Sequence, residues 1–303
     1  MNRSAESDQI SRNQNDFSMI RLAIPNKGRI SEEILKLLEK IGLEIPENGR
    51  KLFVNTNNPN IQVVYARAAD IPLYVDSGAA DLGITGEDMI EESGAQVKKL
   101  LKLNFGKCKI VVASPKNSGI RSKKDYKGGM RVATKLTNIA KRYFNSQDLY
   151  CEIVRVAGAV ELAPNLGIAD LIVDQVSTGT TLEANNLQIV DVIQESSIYL
   201  IANQKSLKEK VEGVEELKLS IESISTAEVK RYVMANVSSE EALKSVLEVM
   251  PAMESPTVIK LAKEGAYSIH SVVDSTSLIQ TIRKLKQAGA KDILVMNMSK
   301  VVE

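Results

Sequence analysis

An α/β protein with a small β-α-β-β-α-β module after it is what this sequence predicts, on three observations. From Ile20 onward, short aliphatic runs alternate with amphipathic segments of helix length, as in an α/β domain with a largely parallel sheet. A strongly charged stretch at 204–228 then interrupts the alternation and is expected to be a connecting surface helix. Beyond it, strands at 232–237, 256–262, 266–273 and 293–298 are interleaved with helices at 240–250 and 277–288, which is the order of a ferredoxin-like module.

In chain order, the first strand is 20–25. The helix at 31–41 sets Ile34, Leu35, Leu37, Leu38 and Ile41 on one side and Glu32, Glu33, Lys36, Glu39 and Lys40 elsewhere. Strands at 52–55, 62–67 and 81–85 alternate with helices beginning near Asp70 and Gly86. A strand at 109–115 opens a second unit, with strands at 130–133, 151–156 and 170–174 and helices at 138–144 and 160–166. The strands 189–193 and 197–203 are expected to return the chain to the first unit.

Composition narrows the function. In 303 residues, 39 Lys and Arg face 38 Asp and Glu, a formal charge of +1, so no global field favours nucleic acid or an anionic membrane and any anion site is local. Cys108 and Cys151 lack metal-ligand spacing and read as reduced thiols. One histidine, His270, and no tryptophan argue against a histidine triad or a multi-histidine metal site. Residues 1–18 read as a disordered tail, and no apolar run reaches the about 20 residues that span a bilayer. A cytoplasmic protein is expected.

The densest signal is at 171–182. An aliphatic run ends in Asp174 and is followed by Ser177, Thr178, Gly179, Thr180 and Thr181 at a helix start, where N–H groups and hydroxyls converge on a positive helix end. That arrangement suits a phosphate monoester, with the carboxylate placed for sugar hydroxyls, hence a ribose phosphate. A strand, an Asp turn and a Ser/Thr cap without any ligand fit the same letters. Lys27, Gly28 and Arg29 follow the first strand at a helix N-terminus, a common anion position. Arg67 ends one strand and Arg50 precedes another, and a guanidinium fork suits a pyrophosphate leaving group. Gly86 and Asp88 follow the strand 81–85, where glycine lets backbone approach a ligand. Each cation also fits a surface ion pair.

Taken in order, these blocks resemble the ATP phosphoribosyltransferase family. Glu161, Gly167, Ala169, Asp170, Asp174, Thr178, Gly179 and Thr181 fit its phosphoribosyl pyrophosphate loop, with Gln175 where the family usually carries an aliphatic residue. The Lys27–Arg29 turn and Gly83-Ile84-Thr85-Gly86 fit its nucleotide cleft, and 250–257 is similar to a segment of its long form. The resemblance implies a two-lobed, periplasmic-binding-protein-like catalytic core with a ferredoxin-like C-terminal domain. It divides the chain into lobe I (19–107 and 186–213), lobe II (108–185) and a regulatory domain (214–303).

The implied reaction joins N1 of the adenine of ATP to the anomeric carbon of phosphoribosyl pyrophosphate and opens histidine biosynthesis. By the same resemblance, Arg50 and Arg67 are catalytic, and Lys27, Gly28, Arg29, Gly86 and Asp88 meet ATP or pyrophosphate. Glu161, Asp170, Asp174 and Ser177 to Thr181 meet phosphoribosyl pyrophosphate. Mg²⁺ is expected to arrive through the phosphates rather than on protein ligands. Histidine is implied as a feedback inhibitor at Ser238, Met253, Ser255, Thr257 and Asp292, in a homo-oligomer between dimer and hexamer. A two-lobed solute receptor and a catalytically silent subunit are the rival readings. The first is disfavoured by the lack of an export signal, the second by the intact phosphate loop.

Overall fold

The structure is a computed structural model that describes residues 19–46 and 52–302, so the expected tail and Arg50 lie outside the described residues. Two compact units divide between Lys218 and Leu219. The first unit begins with β1 (Ile20–Pro25), α1 (Arg29–Lys40), β2 (Phe53–Asn55), β3 (Ile61–Ala66), α2 (Ile71–Asp76), β4 (Leu82–Gly86), α3 (Glu87–Ser93) and β5 (Lys98–Lys102). It continues with β6 (Cys108–Pro115), β7 (Arg131–Thr134), α4 (Thr137–Ser146), β8 (Glu152–Arg155), β9 (Leu171–Val176), α5 (Thr180–Ala184), β10 (Leu187–Ser196), β11 (Ile198–Ala202) and α6 (Ser206–Glu209). Helix α7 (Val211–Val229) runs on into the second unit.

Two sheets build the first unit, in the orders β2-β3-β1-β4-β11-β5 and β10-β6-β9-β7-β8. This is the two-lobed α/β core. Strand β1 lies between β3 and β4, parallel to both, and five of its six residues are buried, as a strand covered on both faces requires. Helix α1 turns Ser31, Ile34, Leu37 and Leu38 inward at three- and four-residue spacing.

Three expectations need correction. Neither sheet is largely parallel, because β2, β5 and β11 pair antiparallel in the first and β10 and β6 do so in the second. Strand β10, assigned above to lobe I, is the antiparallel partner of β6 at the edge of the second sheet, so β11 alone makes the return. The helix expected at 160–166 is a single 3₁₀ turn, Val160–Leu162. Residue 164 would have to donate its N–H to the carbonyl of Val160 to close an α turn, and proline has none.

The chain crosses between the sheets at 103–107 and at Ser197. The crossings touch, since Gly106 has φ +67° and a Cβ there would fall 2.6 Å from the Ile198 side chain. The lobes are also tied beside the crossings. Glu92 at the end of α3 accepts hydrogen bonds from the N–H groups of Asn138 (2.9 Å) and Ile139 (3.0 Å) and from the Thr137 hydroxyl (3.0 Å), capping α4 of the other lobe. Arg142 of α4 pairs with Glu91 at 3.1 Å.

A buried carboxylate fastens the chain after its return. Asp81 accepts from the Arg21 N–H (2.8 Å), the Ser206 hydroxyl (2.6 Å) and the Lys210 ammonium (2.9 Å).

The second unit holds β12 (Lys230–Val237), α8 (Glu240–Val249), β13 (Thr257–Lys260), β14 (Tyr267–Asp274), α9 (Leu278–Gln287) and β15 (Lys291–Met296). Its antiparallel sheet has the order β13-β14-β12-β15, the ferredoxin-like topology. Val233, Ala235, Val237, Ile269 and Val273 of the sheet pack with Val246 of α8 and Leu285 of α9 in one core. The Ser239 hydroxyl caps α8 by accepting from the Ala242 N–H.

Candidate functional site

Between the two lobes lies a cavity of about 860 Å³. Lobe I contributes Lys27, Gly28 and Arg29 from the turn between β1 and α1, Arg67 from the end of β3, and Gly86 and Asp88 from the junction of β4 and α3. Lobe II contributes Cys108, Lys135, Gln175 and Ser177, and the crossing adds Ser196 and Ile198. Strand ends and helix starts converge here because a mixed α/β sheet leaves its crevice at the carboxyl ends of its parallel strands.

The β1–α1 turn is built for an anion. Gly28 adopts φ 93° and ψ 167° at the helix N-cap, a conformation in the left-handed half that side-chain-bearing residues avoid. Lys27, Gly28 and Arg29 are exposed, and Arg29 is held loosely by Glu33 at 3.8 Å. Arg67 is also exposed and has no ion-pair partner among the described residues. Three cations thus face one space with little to neutralise them.

Gly86 and Asp88 line the cavity and constrain each other. A Cβ on residue 86 would lie 2.2 Å from Asp88 Oδ1, so glycine is required there by the carboxylate itself. Asp88 is 2% exposed, with Oδ1 accepting from the Ser196 hydroxyl at 2.8 Å and Oδ2 from the Gln175 side-chain amide. Both oxygens accept bonds within the protein that join the start of α3 to β10 and β9, and the carboxylate's negative charge gives ATP or pyrophosphate no attraction.

Behind the opposite wall, beside the lining residues Lys135 and Gln175, Asp174 does not itself line the cavity; its Oδ1 lies 3.3 Å from the Lys135 ammonium and accepts from the Gln175 backbone N–H at 2.8 Å. Its other oxygen takes neither contact. Ser177 lines the cavity and leads into Thr178, Thr180 and Thr181, all exposed. Gly179 takes φ 85° in the left-handed region and caps the short helix α5, while the hydroxyls of Thr178 and Thr180 lie 3.1 Å apart.

Asp170 is not part of this group. It precedes β9 whereas the hydroxyl loop follows it, and six strand residues at ~3.3 Å each separate the two ends by about 20 Å. Its carboxylate accepts from the Arg131 N–H (2.8 Å) and guanidinium (3.1 Å), and those bonds, the backbone one foremost, hold its pKa below the usual carboxylate range. It lines a separate cavity of about 700 Å³ with Arg131 and Gly167. Spacing along the chain could not reveal this, because a strand carries its two ends to opposite edges of a sheet. Glu161 is half-buried in the 3₁₀ turn and does not line the main cavity; its neighbours Val160 and Ala163 pack with Leu182 of α5.

Lys135, Gln175, Ser196 and Cys108 are among the lining residues to which sequence reasoning gave no site role. A cation directly after a strand parallel to the one bearing Asp174 was the available signal for Lys135. Burial, with Asp88 nearby, pushes the Cys108 thiol up to about 11, so it stays protonated at neutral pH and is no nucleophile.

Among the described residues, no three His, Cys, Asp or Glu side chains cluster to cage a metal ion. The donor set does fit a hard cation carried in on phosphate oxygens, which needs one carboxylate oxygen such as the uncommitted one of Asp174 and otherwise waters. No helix among the described residues is long and apolar enough to cross a membrane.

In the second unit, Ser238 follows β12, and Asp292, with φ 47°, accepts from the Asn236 side-chain amide at 3.3 Å. Met253 and Ser255 are exposed before β13, which Thr257 opens. The structure does not bring all five together. Thr257 and Asp292 sit on opposite edge strands, three strand spacings or about 14 Å apart, too far for one amino acid to touch both in a single chain.

Comparison with known proteins adds the following. The family model for ATP phosphoribosyltransferase matches residues 67–223, and that for the C-terminal domain of the same family matches 227–300. A Methanosarcina acetivorans protein named ATP phosphoribosyltransferase is 44% identical over 291 residues, covering 94% of this chain and all of the relative. A Methanocaldococcus jannaschii protein of the same name is 44% identical over 289 residues with the same coverage. Among solved structures, an ATP phosphoribosyl transferase (HisG:HisZ) complex from Thermotoga maritima is similar at TM-score 0.61 and 34% identity, over 67% of this chain and 97% of that one.

Proposed function

Since the chain belongs to the ATP phosphoribosyltransferase family, we propose a division of labour for the residues of its cleft. The enzyme transfers the phosphoribosyl group of phosphoribosyl pyrophosphate to N1 of the adenine of ATP, releasing pyrophosphate, at the first step of histidine biosynthesis. The observation that carries the proposal is the cavity itself, with Lys27, Arg29 and Arg67 on one wall and Lys135, Gln175 and Ser177 on the other.

Joining two polyanions through an oxocarbenium-like transition state demands orientation and charge stabilisation rather than a covalent nucleophile. Lys27, Arg29 and the Gly28 N–H hold polyphosphate, and Arg67 stabilises the charge that grows on departing pyrophosphate. Arg50 joins this group on sequence grounds. The loop from Ser177 to Thr181 cradles the 5′-phosphate, the free oxygen of Asp174 meets the ribose hydroxyls, and Glu161 supports the loop from behind. Bound Mg²⁺ would neutralise pyrophosphate charge, with Asp174 the protein group placed to reach its waters.

The second unit is assigned the feedback role. Asn236 Oδ1 and Ser268 Oγ, cross-strand neighbours, are buried without hydrogen-bond partners among the described residues, and a polar ligand beside Asp292 would supply them. Ser238 lies beside the same end of the sheet; Met253, Ser255 and Thr257 would reach that ligand from a neighbouring copy in a homo-oligomer of two to six chains. The boundaries proposed are lobe I at 19–107 with 197–213, lobe II at 108–196 and the regulatory domain from 214. A cytoplasmic location follows from where ATP and phosphoribosyl pyrophosphate are made and used.

Purified protein given ATP, phosphoribosyl pyrophosphate and Mg²⁺ is expected to form phosphoribosyl-ATP, and histidine to lower the maximal rate without competing with ATP. Competition between histidine and ATP would refute the assigned feedback site. Gly179→Val tests the phosphate loop. A β-branched residue is forced into the left-handed region at a cost of about 1–2 kcal/mol, and the loop N–H groups are displaced. Calorimetric titration should show phosphoribosyl pyrophosphate bound roughly tenfold or more weakly, with ATP binding unchanged.

A further inference from the structure

Asp88 stands where the two lobes are joined. Its N–H donates to the Ser196 hydroxyl at 3.2 Å, its Oδ1 accepts from that hydroxyl, and the Glu87 N–H donates to the Ser197 carbonyl at 2.9 Å. All of these bonds tie the start of α3 to the crossing that separates β10 from β11. The other carboxylate oxygen reaches away from the crossing to the Gln175 side chain on β9. The backbone N–H of Gln175 donates to the side chain of its chain neighbour Asp174, the carboxylate that Lys135 also holds. The crossing is thus joined, through the side chain and then the backbone of Gln175, to Asp174, the acid assigned above to the ribose.

We propose that Gln175 is a positioning residue that couples the seating of the lobes at the Ser196 crossing to the orientation of the Asp174 carboxylate. The inference rests on the reading of Asp174 given above. Asp88 is almost fully buried and has no cation as a partner among the described residues, so its charge relies on neutral donors aimed at it from both directions. Gln175 is well suited to that place, being long enough to cross the cleft floor and carrying a donor that does not titrate. A rotation of one lobe that moves Asp88 pulls on Gln175, and Asp174 shifts with it. Misplacement of a positioning group by about 1 Å is enough to cost on the order of 10²-fold in rate.

The experiment compares Gln175→Leu, Gln175→Glu and Asp174→Asn in the full-length enzyme, with steady-state kinetics for both substrates over a range of pH and a melting curve for each. Gln175→Leu should lower kcat about 10- to 100-fold while the KM for ATP moves less than about threefold. Gln175→Glu adds a specific signature. The groups facing residue 175 are Asp88 from α3, Asp174 on β9, Lys135 after β7 and Cys108 on β6. Asp88, in direct contact, and Asp174 raise the pKa of the new acid, against the opposing pull of Lys135, which Asp174 already pairs. Protonated, it donates to Asp88 as glutamine does; ionised, it repels Asp88. The variant should be active at low pH and lose kcat as pH rises, a limb absent from the parent enzyme and not produced by a merely weakened fold.

If Asp174→Asn lowers turnover while both Gln175 variants keep the parental kcat and pH profile, the coupling is refuted and the site stands. Should Asp174→Asn leave turnover intact, the reading of the site falls and the coupling with it. An unfolded Gln175→Leu still leaves the Gln175→Glu profile to decide.

Discussion

Replacing Arg67 with alanine is expected to lower kcat by roughly 30- to 900-fold, the equivalent of about 2–4 kcal/mol of transition-state stabilisation, with little change in either KM. The magnitude follows from its placement. The side chain follows the end of β3 into the cavity and has no ion-pair partner among the described residues. Pyrophosphate gains charge as its bond to the anomeric carbon breaks, and a fixed cation beside it favours the transition state over the ground state. Lysine should recover only part of the loss, because it lacks the planar fork. Steady-state kinetics decide. A rise in KM at unchanged kcat would assign Arg67 to substrate binding alone.

The second large effect is on stability. Asp81→Ala should destabilise the protein by about 3–5 kcal/mol, since it leaves the Lys210 ammonium without its counter-charge and strips acceptors from Arg21 N–H and Ser206. The Asp81 side chain is 7% exposed and that of Lys210 21%, so water cannot compensate fully. The exposed pair of Lys205 and Glu209, at 3.6 Å, supplies the control: Glu209→Ala should cost under about 1 kcal/mol. Urea unfolding measured in parallel separates them. Equal shifts would mean that the Asp81 linkage contributes nothing beyond an ordinary surface contact.

Legibility in the sequence followed the reach of the signal. Strand β1, helix α1 and the whole second unit were readable because their apolar spacing is local and burial enforces it. Strand β5, Lys98–Lys102, went unseen, having two apolar residues among lysines in an edge strand with no buried residue. The partner of β10 was unreadable for another reason, as nothing in an amphipathic strand says which sheet it joins. At the site, Gly28 and Gly179 were legible, since left-handed backbone calls for glycine. The surroundings of Asp170 and Asp88 were not legible, because only three-dimensional neighbours show that Arg131 bonds the first and the pair Ser196 and Gln175 the second.

The lobes meet along a line rather than at a point. The crossing strands touch where Gly106 faces Ile198, Asp88 pins Ser196, and farther along Glu92 caps α4 while Glu91 holds Arg142. Two bodies fastened so have one soft rotation, that of book covers about a spine. With that side closed by these contacts, the expected result is entry and exit by the open side of the cleft, the group seated nearest the spine first in and last out. An ordered sequence of binding and release, which product-inhibition patterns read out, is in this sense a mechanical property of how two sheets were stitched together.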